Sequence, residues 1–438
     1  MAMVSTETPA ELAPRALSLR SNMSWTFLAN VVYGAGQWSL LILIAKLGNA
    51  EMLGIYSLGI AVVTPAMMLS SLNLRPVLVT DVRNQFSFRE YMGVRCLTTL
   101  LAVLVVAGIL AFSHTGWLAA ATTLIISIGL GAEQISDICY GALQKDEQMD
   151  KISISMCYRS VLSVIALGAT LFLTKSILWG ILGLAAARVF VTLTYDLPRQ
   201  WGHRGGPKTL AHLFTLSSSS LHIVWTALPL GIVLMLYSLN SNIPRYFISA
   251  HSGVRELGIF SAIASIVTIG GTVVNSLGQA AMPQLAKKFS AGELRGFTHL
   301  LGKLVAMIAV LGVLGVAFSL VAGREFLKYA FRPEYAEHSH LLIAMMMAGA
   351  ISYMTQILGY CNTAAQYFRP QVPLLAAGTL GVLIASHFLI RSHGLMGAVF
   401  SLGISWIVVL VGELIIVAAL FMNLRGRARV LRSAECGL

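Results

Sequence analysis

The sequence predicts an all-α membrane protein with about twelve transmembrane helices, arranged as two parallel-repeat six-helix lobes around a central cavity. Its composition supports this first: 57% of the 438 residues are hydrophobic and only 11% are charged. A soluble domain has roughly a quarter of its residues charged, so the apolar excess must face lipid. The chain is long enough for twelve spans of roughly 20 residues with short loops.

Twelve apolar segments are each long enough to cross a bilayer. The fifth and sixth form a tight hairpin with only Lys175 at the turn. The segments lie near residues 25–46, 53–73, 95–112, 117–140, 159–174, 176–196, 226–250, 257–278, 301–322, 341–360, 372–390 and 395–422.

The distribution of Lys and Arg predicts the orientation. With the N-terminus inside, most of the basic residues fall on inside segments, which fits the positive-inside rule. We therefore expect a multi-pass membrane protein with a cytoplasmic N-terminal segment at 1–24 and a basic cytoplasmic tail at 423–438. The net charge of +12 is explained by these loops. Nucleic acid is not an expected partner, because no basic stretch is interleaved with aromatic residues.

An internal repeat predicts the division into lobes. Leu53–Ser57 recurs as Leu257–Ser261, conservatively changed at one position. Six spans separate the copies, so both lobes should have the same orientation and be related by an axis along the membrane normal. The predicted limits are 25–196 for the first lobe, 226–422 for the second, and 197–225 for an inner linker containing an amphipathic stretch.

Charged and polar residues at membrane depth are the candidate site residues, because a charge at mid-bilayer costs about 2.5–3.5 kcal/mol or more. Arg245 is the principal one: the repeat aligns it with the first span, although an outer loop beginning near Asn240 is the alternative. The same segment contains Tyr237, Asn240 and a helix-bending Pro244. We expect Arg245, Tyr237 and Asn240 to contribute to substrate binding.

Other candidates lie in four further spans. Arg188 in the sixth span either binds substrate or extends to the inner surface, and Gln37 gives the first span a polar face. Glu133 and Asp137 share one face of the fourth span, either bonded to basic residues or acting in ion coupling. Glu413 is the acidic residue of the last span and a second candidate for ion coupling.

Several enzyme classes lack their sequence signatures. There is no GxxxxGK[ST] phosphate loop, no HExxH and no CxxC pair, so no cofactor or metal is expected. His338 and His340 are interpreted as a solvated outer loop rather than a metal site. A membrane polymerase or ligase remains an alternative, but it would need a long outer loop or an acidic metal-binding pair such as DxD.

Several stretches together resemble the Wzx-type polysaccharide and O-antigen flippases of the multidrug/oligosaccharidyl-lipid/polysaccharide exporter superfamily. Their order and spacing, over most of the chain, carry the resemblance. The stretches are Glu51–Ser57, Tyr140–Gln144 followed by Glu147, Met149 and Arg159, Pro244–Phe247 running into Leu257–Ser261, and Pro283–Leu285.

The resemblance implies that the protein flips a polyprenyl-pyrophosphate-linked oligosaccharide from the inner to the outer leaflet by alternating access. Expected partners are this glycan, membrane lipid and a polysaccharide polymerase. A lipid II flippase or a drug/cation exporter of the same superfamily is the alternative. Drug antiporters commonly have an acidic residue in the first span, and residues 25–46 contain none.

Overall fold

The computed structural model describes residues 19–435 except 82, 84, 114, 205–217, 368 and 369. Helices make up almost all of this part of the chain, and it contains no strand. The helices are α1 Leu19–Leu47, α2 Ala50–Ser71, α3 Leu74–Thr80, α4 Phe88–Phe112, α5 Trp117–Lys145, α6 Met149–Thr174, α7 Ile177–Val191, α8 Leu197–Arg204, α9 Ser218–His251, α10 Val254–Ser290, α11 Leu294–Val321, α12 Gly323–Ala330, α13 Pro333–Ala336, α14 Ser339–Ala364 and α15 Gln371–Glu435.

Local signals in the sequence account for the helix ends. Asn49 caps α2 by accepting a hydrogen bond from the Met52 backbone N–H at 2.8 Å. Ser87 and Glu90 form a capping box at the start of α4. Lys175 takes a left-handed conformation, with φ 52°, between α6 and α7, so the tight hairpin predicted there is confirmed.

Eleven helical stretches of the described residues are long and apolar enough to cross a membrane. The last of them, Gln371–Met422, has 52 residues and is interrupted at Gly394, where φ is 55° and ψ is −131°. At 1.5 Å per residue it is more than twice the thickness of a bilayer core. This stretch therefore contains two spans. The prediction of about twelve transmembrane helices is confirmed.

The two lobes repeat one packing pattern. In the first lobe α1 packs on α6, α2 on α5, and α5 on α7. In the second lobe α9 packs on the first part of α15, α10 on α14, and α14 on α15. The corresponding helices have the same order along the chain, as a parallel repeat requires. The limits 25–196 and 226–422 themselves remain predictions.

The predicted linker at 197–225 is largely helical at its ends. A π-helical segment, Thr192–Asp196, joins α7 to α8, so the sixth-span helix continues to Arg204. The seventh-span helix, α9, already begins at Ser218. The predicted amphipathic stretch falls mainly on 205–217, outside the described residues.

Two glycines of the repeat lie where the lobes meet. A Cβ on Gly54 would be 1.8 Å from the Val254 carbonyl oxygen, and one on Gly258 would be 1.9 Å from that of Ala50. These positions correspond under the repeat, so α2 and α10 cross about the pseudo-two-fold axis. Only glycine allows backbones to approach this closely. The crossing lies at the end of the bundle that carries the α1–α2 turn, the predicted outer end.

Away from this crossing, the two sides of the interface between the lobes differ in how closely their helices pack. On one side α2 packs against α9, where the Tyr246 hydroxyl donates to the Ala61 carbonyl oxygen. The equivalent pair on the other side, α1 and α10, has little contact. Residues 257–267 of α10 are mostly buried, whereas much of the face from Thr268 onward is exposed. The lobes are therefore closed at the predicted outer end. On the α9 side they stay in contact toward the inner end, where Ile223 and Ala227 pack on Leu72 of the first lobe, so they are separated only on the α1–α10 side.

Candidate functional site

The first lobe contains two carboxylates on α5 that are both paired with arginine. Glu133 Oε1 lies 3.3 Å from Arg188 Nε, and Arg188 is buried rather than extended to the surface. Asp137 lies 3.4 Å from Arg75 and 3.2 Å from Arg95, which is fully buried. Each cation thus offsets the desolvation cost of its partner. Spacing on α5 put Glu133 and Asp137 on one face, but it could not identify their partners.

A fourth ion pair holds α6 against the π-helical segment that follows α7. Arg159 Nη2 is 2.7 Å from Asp196 Oδ2, and both side chains are almost completely buried. Ser155 donates to Asp196 at 2.6 Å and shares a 2.7 Å hydrogen bond with Tyr140. Asp196 ends the π-helical segment, a rare element that often occurs at functional sites. No sequence signal links Arg159 to Asp196, because their pairing depends on how α6 and α7 pack.

A narrow polar crevice of about 10 Å³, room for about one water molecule, lies inside the first lobe between α1 and helices α5 to α7. Tyr33 donates to Glu133 at 3.5 Å. A Cβ on Gly36 would meet Ser160 Oγ at 1.9 Å, so a larger residue would displace the Ser160 hydroxyl where α1 packs against α6. The residues lining the crevice are Tyr33, Gly36, Gln37, Leu40, Glu133, Arg159, Ser160, Ser163 and Arg188. The structure thus brings together the candidates Gln37, Arg188 and Glu133.

Arg245 lies within α9, six residues before the helix ends at His251, so its placement in a loop is excluded. Its Nη1 donates to Asn242 Oδ1 at 2.7 Å, within the same helix. Among the described residues no carboxylate lies within 4 Å of it, and its Nε is buried without a hydrogen-bond partner. Arg245 is therefore a cation at membrane depth that has hydrogen-bonding capacity left for an anion.

Tyr56 connects the two lobes electrostatically. This buried residue of α2 interacts with Arg188 and Glu133 of the first lobe and with Arg245 of the second. It lies two residues after Gly54, directly below the crossing of α2 and α10. The two cations thus flank the closed end of the space between the lobes. Tyr56 is part of the repeated motif, and that position was the only signal for it in the sequence.

The remaining candidates lie apart from these cations. Asn240 donates to Ser405 Oγ at 2.8 Å, which places it in the packing of α9 against α15. Tyr237 is 60% exposed on α9. Glu413 is buried in the second half of α15 and accepts a hydrogen bond from Asn362 near the end of α14. The candidates therefore do not form one compact site.

Comparison with known proteins gives the family. The family model described as "Polysaccharide biosynthesis protein" matches residues 19–289, more than half of the chain. The chain belongs to this family. The match includes the whole first lobe, the α2–α10 crossing and Arg245.

Relatives of this family member cover nearly the whole chain. The capsular polysaccharide biosynthesis protein CapF of Staphylococcus aureus is 27% identical over 390 residues, covering 89% of this chain and 97% of the relative. The lipid II flippase MurJ in an inward closed conformation has a TM-score of 0.72 at 13% identity, with 92% and 90% of the two chains covered. An inward-facing multidrug resistance transporter of the MATE family, of the MOP superfamily, has a TM-score of 0.60 at 14% identity, with 97% of each chain covered. These two structures share the fold of the chain.

Proposed function

We propose that the protein flips a polyprenyl-pyrophosphate-linked glycan from the inner to the outer leaflet of the bacterial plasma membrane, with both termini cytoplasmic. The observation that carries this proposal is Arg245, a membrane-embedded cation without a carboxylate partner among the described residues. A cation kept unpaired at this depth is stabilised when an anion arrives. Membership of a polysaccharide biosynthesis family makes a lipid-linked glycan the fitting anion.

The pyrophosphate would bind at the closed end of the space between the lobes. A guanidinium group offers several N–H donors in a planar fork, which suits phosphate oxygens. Arg245 supplies free donors there, and Arg188 adds positive potential from across Tyr56. Because Arg188 already forms an ion pair with Glu133, we assign the direct contact to Arg245 and a supporting role to Arg188.

Alternating access follows from the way the lobes meet. The α2–α10 crossing at Gly54 and Gly258 would close the outer side, while the sparsely packed α1–α10 side would admit substrate. The sparse contact between α1 and α10 leaves a lateral opening through which a polyprenyl tail can remain in lipid. Rocking of the lobes about this substrate would then part the crossing and open the outer side.

Two sources could drive the transport. The membrane potential favours outward movement of a negative charge by about 2.3 kcal/mol per 100 mV. Glu413 is the candidate for proton or ion coupling, since its side-chain partner among the described residues is an amide, Asn362. Glu133 and Asp137 each have an arginine partner, so for them the structural role is favoured.

Other transporters of the same fold would need a different site. A drug/cation exporter should present an unpaired carboxylate to its cationic substrate, whereas Arg245 presents the opposite charge. Lipid II has the same pyrophosphate chemistry, so only the accumulated lipid can distinguish it. We also propose that the flipped glycan passes to a polysaccharide polymerase on the outer side.

Deletion of the gene tests the proposal. We expect the pyrophosphate-linked glycan to accumulate in the inner leaflet and surface glycan to disappear, as measured by lipid mass spectrometry and surface labelling. Complementation with Arg245→Ala should fail at wild-type protein level, and Arg245→Lys should restore export in part. Full export by the Ala variant would remove Arg245 from the site, and accumulation of lipid II alone would identify the alternative substrate.

A further inference from the structure

A group of uncharged polar side chains lies on the inner side of the α2–α10 crossing, apart from the cations. These side chains come from α9, α10 and α14 of the second lobe, and we call them the amide–phenol cluster. Its members are Tyr237, Asn275, Gln279, Gln356 and Tyr360. None of them belongs to an ion pair among the described residues.

Contacts between α10 and α14 fix the position of Tyr360. Its hydroxyl donates to Asn275 Oδ1. A Cβ on Gly278 would be 2.2 Å from Tyr360 Cδ2, so glycine makes room for the ring to lie against α10. Further along the same helix pair, Tyr353 donates to the Val267 carbonyl oxygen at 2.6 Å. The Tyr360 ring is therefore held in place before any ligand binds, which lowers the entropic cost of binding.

Most of the hydrogen-bonding capacity of the cluster is unused. Asn275 and Gln279 are exposed, and within the part of the chain that the structure describes their amide nitrogens donate to no protein group. Tyr237 is 60% exposed and near enough to Tyr360 for their phenol groups to interact electrostatically. Exposed amides are costly against hydrocarbon, so this surface fits water or a polar ligand.

We propose that the amide–phenol cluster binds the uncharged sugar residues next to the pyrophosphate. Amides can bond sugar hydroxyls as both donors and acceptors, and phenol rings offer apolar faces with a polar edge. An uncharged surface suits neutral hydroxyls and gives no strong attraction to phosphate. The inference rests on the proposed function, and it makes this cluster a determinant of which glycan is accepted.

The amide–phenol cluster and Arg245 are close enough for one ligand to contact both. Tyr237 and Arg245 are both on α9, eight residues apart, so at 1.5 Å per residue they are separated by about 12 Å along the helix. Eight residues are a little over two turns, so both can face the same space. A pyrophosphate at Arg245 would thus place the next few sugar units beside Tyr237 and the cluster.

Binding to the purified full-length protein tests the inference with two probes. One is the pyrophosphate-linked glycan extracted from the deletion strain, and the other is undecaprenyl pyrophosphate without sugar. The test variants are Asn275→Ala/Gln279→Ala and Tyr237→Ala. The matched controls are Gln85→Ala, exposed in a loop of the first lobe, and Tyr329→Ala, 70% exposed on α12. Melting temperature confirms folding of each variant.

We expect the wild type to bind the glycan-bearing probe more tightly than the bare pyrophosphate. Loss of two hydrogen-bonding amides should weaken only the glycan-bearing probe, by about tenfold, with the controls unchanged. Tyr360→Phe keeps the ring and should have a smaller effect, about threefold. An unchanged preference in the double variant would overturn the inference. Failure of the wild type to bind either probe would instead contradict the proposed function.

Discussion

The two lobes share a helix-packing pattern but differ in their buried charges. In the first lobe the carboxylates Glu133, Asp137 and Asp196 each have an arginine partner. In the second lobe Arg245 and Glu413 have only amide partners among the described residues. Pairing gives charges a structural role, whereas unpaired charges remain available to a ligand. We therefore propose that the first lobe acts as the rigid body and that the second presents most of the substrate-binding groups.

The interface between the lobes is symmetric at the α2–α10 crossing and asymmetric between its two sides. Gly54 and Gly258 make equivalent backbone contacts, whereas α2–α9 and α1–α10 do not. A repeat that kept its symmetry throughout would close both sides equally. The asymmetry leaves a lateral opening between α1 and α10, while the α2–α10 crossing keeps the outer side closed.

Breaking a paired charge of the first lobe should have the largest effect on stability. Arg159→Ala leaves Asp196 buried and unpaired, which should cost about 3–5 kcal/mol and lower the melting temperature of the purified protein strongly. Arg255→Ala is the matched control, since Arg255 is exposed in its pair with Glu334 and should contribute about 1 kcal/mol or less. Equal melting temperatures would show that the buried pair does not stabilise the first lobe.

Adding a methyl group at the crossing should have the next largest effect. Gly54→Ala and Gly258→Ala each force α2 and α10 apart, at a cost of about 1–3 kcal/mol to the closed state. We expect export to fall, and cysteines placed near the crossing to react faster with an impermeant thiol reagent from outside. Gly108→Ala is the control, because a Cβ there meets no atom within 4 Å. Unchanged labelling in both variants would mean that the crossing is not the outer gate.

Removing the charge of Glu413 should change stability least. Glu413→Gln keeps the shape of the side chain and the donor Asn362, so we expect a change of about 1 kcal/mol or less in unfolding free energy. If Glu413 carries the coupling proton, transport by the reconstituted variant should no longer respond to an imposed pH gradient. A response equal to that of the wild type would leave the membrane potential as the drive.

The sequence was sufficient for the spanning helices, the repeat and the position of Arg245 within a helix, because hydropathy and charge act locally along the chain. It also predicted the shared face of Glu133 and Asp137. The Arg159–Asp196 pair, the position of Tyr56 between two cations and the bond between Tyr360 and Asn275 were not predictable. Each depends on helices that are distant in sequence and meet only in the packed bundle.

Translocation by reconstituted protein tests the division of roles most directly. Proteoliposomes containing the lipid-linked glycan would be followed with a membrane-impermeant sugar-modifying reagent, for the wild type and for Arg245→Ala. We predict that the variant keeps the melting temperature of the wild type and loses at least about tenfold in rate, as expected when a charged hydrogen bond to the substrate is removed. Wild-type translocation by Arg245→Ala would contradict the account, and so would loss of transport that is explained by unfolding.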